Sequence, residues 1–107
     1  MKPRHDLSER ALAQICGVLS RFPEVEEAVL FGSRAKATHK PGSDIDLALT
    51  GPDLDWRILG RIYDSLDDLL LPYRFSLILL DGNTDAAVAA HIARVGIPIY
   101  RSAHVVR

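Results

Sequence analysis

The sequence predicts an α/β (α+β) chain with a small mixed β-sheet flanked by helices, and two observations carry that expectation. Apolar residues recur at helical spacing in three segments and at strand spacing in three or four others, and the two kinds alternate along the chain. The 107 residues, 48% apolar and 25% charged, have an ordinary globular composition, which leaves room for one domain with one core.

The first helix is expected between Leu7 and Phe22, where Leu7, Ala11, Leu12, Ile15, Leu19 and Phe22 share a face. Asp6 with Glu9 three residues on resembles a capping box, and Pro23 stops the helix. Ala28-Val29-Leu30-Phe31 is a short apolar run broken by Gly32 and reads as a buried strand. After a loop over residues 38–43, Ile45, Leu47 and Leu49 alternate with Asp44, Asp46 and Ala48 as a half-buried strand. Asp53 or Asp55 caps a second helix whose buried stripe is Leu59, Ile62, Tyr63, Leu66, Leu69 and Leu70, ahead of Pro72. A third strand runs from Arg74 to Leu80 and ends at Asp81-Gly82-Asn83. Asp85 begins a third helix through Val88, Ile92 and Val95, with Gly96 at C′. Ile97 to Tyr100 adds a short edge strand, where Pro98 is tolerated.

Charge and cysteine content exclude several function classes. Thirteen Lys and Arg against fourteen Asp and Glu give a net charge of −1, so no global basic field exists to hold nucleic acid non-specifically. Cys16 is the single cysteine, which rules out an internal disulfide and fits a reducing, cytoplasmic compartment. No stretch approaches the ~18 apolar residues of a membrane span, and no apolar core follows the basic residues at the start as in a signal peptide. Trp56 is expected as half-buried packing or as an anchor facing a partner. Tyr73, Tyr100 and Val105-Val106 suit an exposed apolar edge that a second copy or a helical partner would cover.

The residues that carry chemistry lie between Phe31 and Leu49. Side chains two apart on a strand share a face about 7 Å apart at Cα, so Asp44 and Asp46 converge while Ile45 and Leu47 point into the core. Two such carboxylates repel unless a cation sits between them, and hard oxygen donors suit Mg²⁺ or Mn²⁺. Upstream, Gly32 permits close backbone approach and Ser33 offers a hydroxyl at the start of an expected helical turn, whose free amides attract phosphate. From Ala28 through Ser43 there is no acid, whereas Arg34, Lys36 and Lys40 are basic. Phosphate on one side and metal on the other describe a nucleoside-triphosphate site.

This order, strand-Gly-Ser-Arg, basic loop, then Ser-Asp-x-Asp-Leu, resembles the minimal nucleotidyltransferases of the DNA polymerase β superfamily. Pro72-Tyr73-Arg74-Phe75 and the stretch from Ala89 to Tyr100 extend the likeness over nearly all of the chain after the first helix. The resemblance implies a polymerase-β-like palm fold. It further implies that Gly32, Ser33, Arg34 and Ser43 bind an NTP, usually ATP, and that Asp44 and Asp46 ligate Mg²⁺. Short members often act beside an all-helical HEPN-type protein, as an antitoxin or as half of a two-part transferase, and some transfer AMP to that partner. The chain departs from the pattern twice. Ser76 occupies the expected position of a third carboxylate, in Arg74-Phe75-Ser76-Leu77, and Ala37 replaces a customary glycine. A serine is a poor substitute for a carboxylate in holding metal or taking a proton. Two alternatives therefore stay open, a catalytically impaired module that binds nucleotide or masks a partner and, more remotely, an aspartyl-phosphate phosphotransferase using the same Asp-x-Asp.

Overall fold

The computed structural model describes residues 7–32 and 44–102; the loop expected over residues 38–43 and the expectations on Asp6, Ser33, Arg34, Lys36, Ala37, Lys40, Ser43, Val105 and Val106 lie outside the described residues. The elements are α1 (Glu9–Leu19), β1 (Glu27–Phe31), β2 (Ile45–Thr50), α2 (Trp56–Asp67), β3 (Phe75–Leu79), α3 (Ala86–Val95) and β4 (Ile97–Arg101). They form one four-stranded sheet in the order β3-β2-β1-β4. β1 runs antiparallel to both β2 and β4, whereas β2 and β3 are parallel and joined through α2, so the sheet is mixed as predicted.

Strand alternation divides the core in two. Ala28, Leu30, Ile45, Leu47, Leu49 and Phe75 face α1 and α2, with Ile15, Leu19, Ile62 and Leu66 of those helices. The opposite face holds a smaller cluster of Val29, Ala48 and Ile92, the last from α3, with Phe31, Ile78 and Leu80 packed against it. Ile92 is the one buried side chain of α3, whereas α1 buries four and α2 three. This thin cover leaves one end of the sheet face to polar side chains.

Several local expectations are corrected. Ser8, rather than Asp6, caps α1, its side chain accepting from the Ala11 N–H at 3.0 Å. Asp55, one of the two expected caps, accepts from the amides of Arg57 and Ile58 at the start of α2. Tyr63 is 44% and Leu70 89% exposed, so neither belongs to the buried stripe of α2. Leu70 lies beyond the last helical turn with φ of 56°, a left-handed conformation in which its side chain swings outward. Val88 is also exposed. Gly96 does not adopt the left-handed C′ geometry; its φ of −65° and ψ of 144° are extended. Glycine is needed there for space, since a Cβ would run into the Ile92 carbonyl and the Val29 side chain. Tyr73 and Tyr100 pack against the larger core instead of forming an exposed edge. The free cysteine Cys16 donates from Sγ to the Ile99 carbonyl at 3.2 Å, and burial raises its thiol pKa, which marks it as a packing residue.

Candidate functional site

Asp46 pairs in register with Phe31 of β1 on one side and with Ser76 of β3 on the other. Its side chain therefore lies on the α3-side face of the sheet, and Ser76 shares that face because register partners in adjacent strands point the same way. Asp44 precedes β2 by one residue and continues the alternation on the same face, exposed, whereas Asp46 is half-buried. Extending the parallel register by one residue beyond Ile45 and Phe75 sets Arg74 opposite Asp44. Ile45 and Leu47 are completely buried on the opposite side, which pins the register and keeps both acids outward, as expected.

Gly32 terminates β1 beside this pair with φ of 78°, in the left-handed region that favours glycine. A Cβ at Gly32 would collide with Oδ2 of Asp46. The Asp46 carboxylate thus lies directly over the Gly32 backbone, and the chain leaves β1 for residues 33–43 at the same end of the sheet that bears both acids. Burial raises the Asp46 pKa, and the negative charge of Asp44 raises it further. A cation held between the two would relieve both penalties. Among the described residues no three His, Cys, Asp or Glu side chains gather into a ready metal cluster. Ser76, in register with Asp46 and on the same face, is exposed and carries a hydroxyl instead of a carboxylate.

The model of the family described as polymerase beta, nucleotidyltransferase, matches residues 13–104, which spans β1, β2 and β3 together with the site just described. The chain belongs to this family. No sequence among the curated proteins matches it. Its fold is similar to a chain in a toxin–antitoxin structure with AMP-PNP, at 21% identity and a TM-score of 0.69, covering 91% of this chain and 76% of that one. A second similar fold occurs in the structure of a tri-AMPylated Shewanella oneidensis HEPN toxin in complex with MNT antitoxin, at 18% identity and a TM-score of 0.67, with 90% and 74% covered. The MntA–HepT toxin–antitoxin structure gives a third, at 20% identity, a TM-score of 0.67 and coverage of 89% and 74%. At such identities the likeness concerns the α/β nucleotidyltransferase fold. No helix among the described residues is long and apolar enough to cross a membrane.

One part of the site was not singled out in the sequence. Phe75 and Leu77 of the edge strand β3 line a groove of about 350 Å³ with Trp56, Leu59, Gly60 and Tyr63 of α2. Ser76 stands at its rim. The helical spacing of Trp56, Gly60 and Tyr63 was the available signal, but the groove arises only once β3 is known to be an edge.

Proposed function

We propose that this chain is a single nucleotidyltransferase domain that binds an NTP, with ATP as the donor, together with Mg²⁺ or Mn²⁺ and transfers AMP to a hydroxyl on a HEPN-like helical partner. One observation carries the reading: Asp46, with Asp44 on the same face, is held over a left-handed Gly32 whose missing side chain is what admits the carboxylate. The donor set fits a hard divalent cation, with two carboxylates and no soft ligand at the strand end. Such a cation supplies charge neutralisation at phosphate oxygens. Gly32 keeps the floor low enough for phosphate to approach the acids, and Asp44 and Asp46 hold the metal. Ser33, Arg34 and Ser43 are assigned to the triphosphate through the sequence motif. In the transfer, the acceptor oxygen bonds to the α-phosphorus, the bond from that phosphorus to the bridging oxygen breaks, pyrophosphate leaves, and the acceptor proton passes to solvent. The solved relatives support the partner class, because the similar folds occur in toxin–antitoxin structures, one with a HEPN toxin that is AMPylated.

Ser76 favours a second reading, an impaired module that binds nucleotide or masks its partner. It sits in register with Asp46, and its hydroxyl cannot take a proton or hold a metal as a carboxylate would. Calorimetry with Mg²⁺ and ATP, followed by transfer from α-labelled ATP to a HEPN-like helical protein, separates the two. The transferase reading expects magnesium-dependent binding, lost on Asp44→Ala with Asp46→Ala, and label on the partner. Binding without transfer, with none gained on Ser76→Asp, establishes the second reading. Absence of magnesium-dependent binding refutes the transferase reading and any nucleotide-binding role.

A further inference from the structure

Among the described residues, the outer edge of the sheet beside Ser76 has backbone groups without a bonding partner, and it carries an aromatic wall. In a parallel ladder alternate residues direct both backbone groups to the neighbouring strand. The bonds from the Ile45 N–H to the Arg74 carbonyl at 2.8 Å and from the Leu80 N–H to the Leu49 carbonyl at 2.9 Å fix which ones do so here. Ser76 and Ile78 face β2, and the N–H and C=O of Phe75 and Leu77 therefore point away from the sheet. Among the described residues nothing bonds these outward groups. Trp56 stands above them, 82% exposed, with Tyr63 two turns further along α2 and Gly60 between as the floor of the groove. An exposed tryptophan beside a bare strand edge is the pattern that native proteins otherwise avoid by charge, proline or cover.

We infer that this edge is the acceptor-binding site, taking an extended segment of the acceptor polypeptide as an added strand along β3. The inference rests on the transferase reading. In-line displacement requires the attacking hydroxyl to enter opposite the departing pyrophosphate. Gly32, the phosphate floor, lies on the β1 side of Asp46, which leaves the β3 side for the acceptor. A strand added there lies about 4.8 Å beyond β3 and alternates its side chains between the two faces. Its apolar residues enter the groove against Trp56 and Tyr63. The residue between them emerges on the opposite face, beside Ser76, and carries its hydroxyl towards Asp46. Ser76, shorter than a carboxylate-bearing residue, leaves that approach open.

The test selects short random peptides displayed on phage against the full chain, without nucleotide, and compares the parent with Gly60→Leu. Nothing lies within 4 Å of a Cβ at Gly60, so the new side chain starts from open space in the groove, and leucine favours the helix. Selected peptides are expected to alternate apolar residues and to slow hydrogen exchange at the Phe75 and Leu77 amides, while Ser76 and Ile78, already bonded to β2, do not change. Gly60→Leu weakens them at least about tenfold, as does Trp56→Ala, with a melting temperature for Gly60→Leu no lower than the parent's. Selection of no peptide, protection of other amides, or equal binding to Gly60→Leu overturns the inference. Because nucleotide is absent, failure of the parent to bind Mg²⁺ with ATP refutes the transferase reading separately.

Discussion

Replacing Gly32 by alanine tests the centre of the site, because two penalties coincide at one atom. The first is conformational: with φ of 78°, a residue bearing a Cβ costs roughly 1–2 kcal/mol relative to glycine. The second is steric, since the new methyl enters the space of the Asp46 Oδ2 and sits against its Cγ and Cβ. Relieving that overlap forces the carboxylate off its rotamer or moves the end of β1, and overpacking of this kind costs about 1–3 kcal/mol. The expected loss is therefore about 2–5 kcal/mol, a large fraction of the stability of a domain this size. Urea unfolding followed by circular dichroism measures it. Gly60→Ala is the control, since its Cβ meets nothing and the helix gains up to about 1 kcal/mol. A Gly32→Ala protein within about 0.5 kcal/mol of the parent, which is what an unconstrained surface substitution gives, would refute the placement of Asp46 over the glycine. Magnesium titration of the same variant should show weakened binding even at temperatures where it is fully folded.

Three further outcomes follow from the structure. The Asp46 pKa is raised by burial and by Asp44, so the folded state holds its proton more tightly than the unfolded chain. Its ionisation thus weakens the fold as pH rises through the unfolded and then the folded value; Asp46→Asn should raise the melting temperature at neutral pH and lose that advantage in acid, and an advantage independent of pH would contradict the assignment. Ser76→Asp places a third carboxylate in register with Asp46, so its melting temperature should fall in chelator and rise with Mg²⁺ by more than the parent's; identical magnesium dependence would count against convergence of the three positions. Leu70→Gly should stabilise the protein by about 1 kcal/mol, as read by urea unfolding, because an exposed leucine occupies a left-handed position that glycine tolerates better.

The order of elements was legible because each segment advertises its own period, and Asp44, Asp46 and Gly32 were legible because local alternation and a strand end suffice to place them. Depth was not. Tyr63 and Leu70 fall at helical spacing with Leu59, Ile62 and Leu66, yet the core reaches only the latter three, and no local pattern tells how wide a stripe the sheet will cover. The role of Gly96 was likewise partly hidden, since beside the nearby Ile92 carbonyl its constraint comes from Val29, far off in sequence. Ser76 could be assigned to the third-acid position from the motif, but its pairing with Asp46 depends on β2 and β3 being parallel neighbours, a non-local fact. The groove by Trp56 required the same knowledge.

The attachment of α3 has a consequence for how the molecule breathes. One buried isoleucine fastens this helix, whereas α1 and α2 share the large core on the other side, so lifting α3 sacrifices little of the apolar burial that holds the sheet. Native-state opening should be hierarchical, with α3 amides exchanging through a low-energy local excursion and β1 and β2 only through global unfolding. The face that bears Asp44 and Asp46 would then gain room transiently while the strands carrying them remain intact.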